Sequence, residues 1–247
     1  MNINECLDAA KQASLLAGGK LRASFFESQE LISNSGRDIK LAIDQEIEGD
    51  IKGQLQRFGY GFLGEETGLN IDDSSEYFWV VDPLDGTSNF YRNIPICANS
   101  IALMDSNLNV HVAVVNNFLE EKLYFASKGN GSFCNDLSLS VSETLLKSSS
   151  TLMTGIPAKT NYLDSEFHEM IQLFQEWKKV RMIGSAAIAG AWVAEGIADC
   201  YKENGIFIWD VAATMLLVQE AGGKISMSNP NDEMRVDAEF TNGKFTK

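Results

Sequence analysis

Apolar residues recur along this chain in two rhythms. Ile3, Leu7, Ala10, Ala17, Leu21 and Phe25 fall at helical intervals, which predicts a helix over 3–26 with one buried stripe. The Gly18-Gly19 pair weakens that helix locally. Ile39, Ile43, Ile47, Ile51, Leu55 and Phe58 predict a second, cleaner helix. Between them lies a polar loop, 33–38, of the kind that serves as a lid when it borders a site. Apolar runs at 60–63 and 77–81 read as short strands. From residue 100 the period becomes two, in segments 100–104, 110–116, 122–126 and 132–134. Gly129-Asn130-Gly131 reads as a hairpin turn, so these segments predict an antiparallel sheet. A Ser/Thr-rich stretch, 138–151, marks a composition shift and divides the chain into domains at 1–141 and 142–247. Beyond it, strands at 152–155, 180–183 and 199–202 alternate with helices at 165–177, from Gly184-Ser185-Ala186-Ala187 onward, and at 209–221. That alternation is the mark of an α/β half, and Gly222-Gly223 closes its last helix.

The densest chemistry follows the strand at 77–81. Proline has no N–H for a central strand, so the strand is expected to stop at Asp82-Pro83. Asp82 and Asp85 then flank the backbone carbonyl of Leu84. Gly86 permits close approach to the backbone, and Thr87 and Ser88 bring hydroxyls and N–H groups to a helix start, a natural anion seat. Carboxylates and a free carbonyl at one strand end suit a hard cation such as Mg²⁺, though the same residues also make an ordinary acidic turn. Glu65-Glu66 follows the strand at 60–63, and two adjacent strand ends can bring Glu65 to Asp82. Asp44 and Asp210 stand near the starts of helices, where a first-turn acid has an ordinary role.

Composition narrows the partners. The 247 residues are 45% hydrophobic and 22% charged, enough for one large or two small domains with a proper core. A net charge of −14 argues against nucleic acid and anionic membrane as partners, but not against a phosphate substrate beside bound cations. Four scattered cysteines without a CxxC, and no signal peptide or long apolar segment, point to free thiols in the cytoplasm. Two distant histidines, His111 and His168, make a His-rich zinc site improbable. Cys97 reads as a buried structural thiol and Ser185 as a helix start rather than a nucleophile. No cysteine is followed six residues later by arginine, and the acids are spaced DxxD, so cysteinyl- and aspartyl-phosphate routes are set aside.

With Gly64-Glu65-Glu66, Asp82-Pro83-Leu84-Asp85-Gly86-Thr87, Gly184-Ser185-Ala186-Ala187 and Trp209-Asp210-Val211-Ala212-Ala213 in order, the chain resembles the inositol monophosphatase family of Mg²⁺-dependent phosphatases. The resemblance spans roughly residues 5–225. It implies a layered α-β-α-β-α sandwich shared with fructose-1,6-bisphosphatase. It also implies hydrolysis of a small phosphate monoester, best matched by inositol monophosphate, by direct attack of water with two or three Mg²⁺ ions. Histidinol phosphate, fructose 1,6-bisphosphate and 3′-phosphoadenosine 5′-phosphate are rival substrates, and a non-catalytic metal- or phospho-ligand-binding protein is the alternative of another class. Carried over by residue, the resemblance makes Glu65, Asp82, Asp85, Asp210 and the Leu84 carbonyl metal ligands. Thr87 with Glu65 would orient the attacking water, with Asp44 bonded to that threonine. Gly86 and Thr87 would cradle the phosphate, beside Asp85 and Asp210, while Arg181, Ala186 and Glu203 would line the polyol pocket. A homodimer and lithium sensitivity are implied as well. Two departures stand out: the loop at 33–38 lacks a lysine that some members carry, and the chain ends only 24 residues after Gly223, shorter than typical members, so that the usual C-terminal helix is expected to be absent or cut.

Overall fold

The structure is a computed structural model and describes residues 1–35, 38–70, 75–156 and 163–246. Helix α1 (Ile3–Ser24) starts at Asn2, whose side chain accepts the Glu5 N–H. The polar loop expected at 33–38 instead contributes the arms of an antiparallel pair, β1 (Leu31–Ser35) and β2 (Asp38–Leu41). Ile39 therefore belongs to a strand, and α2 (Ala42–Leu55) is shorter than its apolar stripe implied. The apolar spacing continues in register through β2, which is why periodicity alone overran the helix start.

Among the described residues, one sheet of eight strands carries the first half of the chain. Its strands are β3 (Gly61–Gly64), β4 (Gly68–Asn70), β5 (Tyr77–Asp85), β6 (Ala98–Asp105), β7 (Val110–Asn117), β8 (Lys122–Ser127), β9 (Ser132–Cys134) and β10 (Leu137–Ser138). They run in the order β10-β9-β8-β7-β6-β5-β3-β4, antiparallel except for the β3–β5 pair. A short helix, α3 (Thr87–Tyr91), follows β5.

The second sheet, of five strands among the described residues, has the order β12-β11-β13-β15-β14. Here β11 (Thr151–Thr154) pairs in parallel with β12 (Lys179–Met182) and β13 (Cys200–Phe207). The segment after Gly223, where the resemblance leaves the usual C-terminal helix absent or cut, forms an antiparallel pair, β14 (Lys224–Met227) and β15 (Arg235–Thr241). Buried Val236, Ala238 and Phe240 alternate with polar neighbours along β15, the two-residue period of a half-buried strand.

Three helical layers complete the sandwich. Helices α1 and α2 cover one face of the first sheet through Leu21, Ile47 and Ile51 against Trp79, Val81 and Val112. Helices α5 (Ala186–Ala194) and α6 (Ile208–Glu220) lie between the sheets, in one continuous core running from Val80 and Val115 to Tyr201 and Phe240. Helix α4 (Asp164–Gln175) closes the far side with Leu173 and Phe174 over Leu152 and Cys200. The order of layers is α-β-α-β-α, as expected. No helix among the described residues is long and apolar enough to cross a membrane.

The middle layer is tight because α5 carries Gly190 where it meets α6. A Cβ there would lie 2.6 Å from the Cβ of buried Thr214. Alanine raises helix propensity by about 1 kcal/mol, but overpacking against a backbone-anchored atom costs about 1–3 kcal/mol. Gly190→Ala is therefore expected to destabilise the chain, lowering Tm by several degrees in thermal unfolding. An unchanged or raised Tm would show that the layer has slack.

Candidate active site

Strands β3 and β5 run parallel with Gly64 opposite Val81. The pairing of β3 with β5 ends there, and the next residues, Glu65 and Asp82, stand side by side. The Glu65 N–H donates to the Val81 carbonyl at 3.2 Å. Contrary to expectation, β5 does not stop at Pro83 but continues to Asp85. Its pairing with β6 shifts between Asp82 (opposite Ser100) and Asp85 (opposite Ala98). Pro83 sits in that irregularity, and β3 has already ended on the other side, so its missing N–H costs no ladder bond.

The irregularity aims the acids. Asp82 Oδ1 accepts the Leu84 N–H at 3.0 Å, and the Thr87 hydroxyl donates to the Leu84 carbonyl at 2.9 Å. Gly86 turns the chain into α3 with φ 89°, and a Cβ there would stand 2.8 Å from the Ile96 carbonyl. Asp210 enters from the first turn of α6. Oxygens of Asp82, Asp85 and Asp210 lie within 4.8 Å of one another, and Glu65 stands beside Asp82.

Asp85 is also gripped from the middle layer. It accepts from the Ser185 hydroxyl, the Ala187 N–H at 2.7 Å and the Ala186 N–H at 3.3 Å. Ser185 in turn caps α5 by accepting the Ile188 N–H at 3.2 Å. Asn89 fastens α3 to the same region, donating to the carbonyls of Ile96 and Ile183, each at 2.8 Å. Neither Asn89 nor the Asp85 contact of Ser185 follows from sequence pattern. The serine at a helix start was the available signal; Asn89 offered none beyond lying in α3.

Four acids packed together resist ionisation. Burial, followed by the charge of Asp44, raises Glu65 to about 8, with Lys40 opposing. Burial raises Asp85 to about 6 against the pull of Ser185 and the α5 N–H groups. Asp82 and Asp210 are held well above the carboxylate range by burial and by their acidic neighbours. A set of buried oxygen-only donors whose members raise one another's resistance to ionisation fits a hard divalent cation, the species that would relieve its repulsion.

A cavity of 230 Å³ opens beside the cluster, lined among others by Glu65, Asp85, Gly86, Thr87, Ala186 and Glu203. Glu203 reaches it from β13, buried and accepting from the Tyr201 hydroxyl at 3.1 Å. Burial raises it to about 7, Tyr201 opposes, and Asp85 adds to the rise. Asp44 occupies the first turn of α2, where its Oδ2 accepts the Leu41 N–H at 2.9 Å. Arg181 is not among the cavity residues: it is exposed on edge strand β12 and donates to the Val180 carbonyl at 3.0 Å. Thr154, Gly155 and Ile156 also line the cavity, and 157–160, which follow them in the chain, lie outside the described residues. All four cysteines are buried and free, and burial pushes Cys97 up to about 12, so it is no nucleophile.

The five-layer sandwich and the acid cluster, built from one strand end and the first turn of α6, are those of a family of phosphomonoesterases that work with divalent metals. Residues 2–244 match the model of the inositol monophosphatase family, and the chain belongs to that family. It is 36% identical over 233 residues to the inositol-1-monophosphatase of Mesorhizobium japonicum, covering 92% of this chain and 87% of that one. It is 37% identical over 214 residues to the Nus factor SuhB of Xylella fastidiosa, covering 85% and 77%. The solved inositol monophosphatase of Anabaena (Nostoc) matches at a TM-score of 0.84 and 32% identity, covering 99% of this chain and 93% of that one.

Proposed function

We propose that this chain hydrolyses inositol monophosphate to inositol and phosphate, with Mg²⁺ held by Glu65, Asp82, Asp85, Asp210 and the Leu84 carbonyl. The observation that carries the substrate is Glu203, a buried carboxylate facing the acid cluster across a small cavity. A carboxylate there accepts hydrogen bonds from a neutral polyol and repels a second phosphate. That weighs against fructose 1,6-bisphosphate and 3′-phosphoadenosine 5′-phosphate. Histidinol phosphate, whose amine a carboxylate would also attract, is the closer rival.

When bound, the metal ions supply Lewis-acid activation of water and of the phosphoryl group. The chain's own residues do the rest. The acids fix the position of that charge, and Asp85 is itself fixed by α5. Thr87 and Glu65 border the space from which water approaches phosphorus, and the Gly86-Thr87 backbone faces the phosphoryl oxygens. Asp44 acts on Glu65 by charge. Within this reading the site lies between an N-terminal part, 1–141, and a C-terminal part, 142–247.

The test is phosphate release from inositol, sugar, histidinol and nucleotide phosphates, each with Mg²⁺ and with EDTA. Metal-dependent release highest on inositol monophosphate is expected. Glu203→Gln should raise KM for inositol monophosphate roughly 10-fold or more, because a hydrogen bond to a charged group is worth about 1.5–3 kcal/mol. A smaller loss is expected on p-nitrophenyl phosphate, which has no polyol. Equal losses on both substrates would remove Glu203 from recognition. The likeness to a Nus factor favours a second reading, a regulatory binding protein, and metal-independent silence across the panel by the folded chain would select it.

A further inference from the structure

Helix α2 carries a second buried carboxylate, one turn beyond Asp44. Glu48 has no exposed surface, and it belongs neither to the acid cluster nor to the lining of the cavity. A bare carboxylate in such a place is costly unless its oxygens are hydrogen-bonded. Here each oxygen takes one of two successive backbone N–H groups: Oε2 accepts from Glu66 at 2.8 Å and Oε1 from Thr67 at 2.9 Å. Successive N–H groups of this kind form a concavity for an anion, and this one is filled from within the chain.

The fit depends on Gly64. A Cβ at that position would stand 2.4 Å from the Glu48 carboxylate, so glycine is what lets the carboxylate reach the turn. The turn is then committed on every side. The Glu65 N–H goes to Val81, the next two go to Glu48, and the Glu66 side chain pairs with Lys40 at 2.6 Å. None of these contacts on the backbone that carries Glu65 uses a cation.

We propose that Glu48 is a positioning residue that holds the 65–67 turn so that Glu65 faces the cation site before any ion arrives. The assignment rests on the reading of Glu65 as a metal ligand. It goes beyond that reading in placing the preorganisation of the site on an acid that touches neither metal nor substrate. Partners one shell removed from a metal typically change affinity about 10- to 100-fold.

Two variants test it. Glu48→Gln keeps the shape but turns an amide N–H toward a backbone N–H. Gly64→Ala keeps the charge but pushes the carboxylate off the turn, and it serves if Glu48→Gln fails to fold. Mg²⁺ affinity is measured by calorimetry on each variant and on the unaltered chain, with amide exchange of Glu66 and Thr67 followed in EDTA. The expected result is Mg²⁺ binding weakened roughly 10-fold or more in either folded variant. Exchange at the two amides should be slow in the unaltered chain and faster in the variants, and the Mg²⁺ concentration for half-maximal turnover should rise more than kcat falls. Unchanged Mg²⁺ affinity in both variants, or fast exchange of both amides in the unaltered chain, overturns the assignment while leaving the functional reading intact. No Mg²⁺ binding by the unaltered chain sinks the functional reading, and this assignment with it.

Discussion

Asp85→Asn should reduce Mg²⁺-dependent phosphate release by more than about 100-fold, since residues that only support metal ligands already account for about 10- to 100-fold. Asp85 joins the two halves of the site. It offers oxygens to the acid cluster while accepting three hydrogen bonds from the start of α5. An asparagine has one oxygen for these tasks, and its NH₂ must face either a donor of α5 or the space meant for a cation. The loss should appear in kcat/KM at any Mg²⁺ concentration and in direct Mg²⁺ binding. In EDTA, Tm should change little, because the substitution removes a stabilising hydrogen bond together with a costly buried charge. Turnover of p-nitrophenyl phosphate equal to that of the unaltered chain would show the site assignment to be wrong.

The second large effect is a stability that runs against pH without metal. The folded chain raises Glu65 to about 8 and Asp85 to about 6, and raises Asp82 and Asp210 as well. Each therefore keeps in the folded state a proton that the unfolded chain has already released. Their contribution is fully present below the unfolded carboxylate range, near pH 4, and is lost progressively as pH rises through about 6 and on to about 8. A tenfold change in acid strength between the folded and unfolded chain corresponds to about 1.4 kcal/mol, and 1 kcal/mol moves Tm by about 2–4 °C in a chain of this size. In EDTA, Tm should fall by roughly 5 °C or more between about pH 5.5 and 8. Saturating Mg²⁺ should remove most of that fall, the ion taking the place of the protons. The net charge of −14 pushes the same way through self-repulsion, but at about 0.15 M salt that surface effect is screened and the buried one is not. A Tm that stays level or climbs with pH in EDTA would overturn the electrostatic account of the cluster.

Much of this was legible in the sequence because the chemistry is local. Asp82, Leu84, Asp85, Gly86 and Thr87 share one strand end, and Glu65 becomes its neighbour once β3 and β5 pair in parallel. The layered fold followed from the resemblance, while periodicity gave the helices and most strands of both halves. What escaped was set by tertiary context. Pro83 looked like a strand terminus because the irregularity that accommodates it lies in the pairing with β6, which the residues around the proline do not announce. The end of β1 looked like a loop because its residues from Ser33 on are polar, and β2 looked like a helix start because Ile39 falls in step with the apolar stripe of α2. Glu48 belongs to no motif of the sequence. Its signal was there, four residues after Asp44 and beside Ile47 and Ile51, on the side of α2 that faces the sheet. The alternation at Val236, Ala238 and Phe240 is a strand pattern too, but short and set among polar residues that resemble a tail.

The grip of α5 on Asp85 has a consequence for how such a chain can diversify. The docking of the second sheet onto the first and the direction of the Asp85 carboxylate are one and the same adjustment, since the donors that turn Asp85 are the opening residues of the layer between the sheets. A sequence change that shifts α5 must therefore disturb the chemistry. Glu203 hangs from β13, and no hydrogen bond of the described residues joins it to the acid cluster. Under the proposed function, the wall that would meet the alcohol of a substrate can be rewritten without breaking a hydrogen bond of the acid cluster, which gives one scaffold a way to acquire new substrates without reinventing hydrolysis.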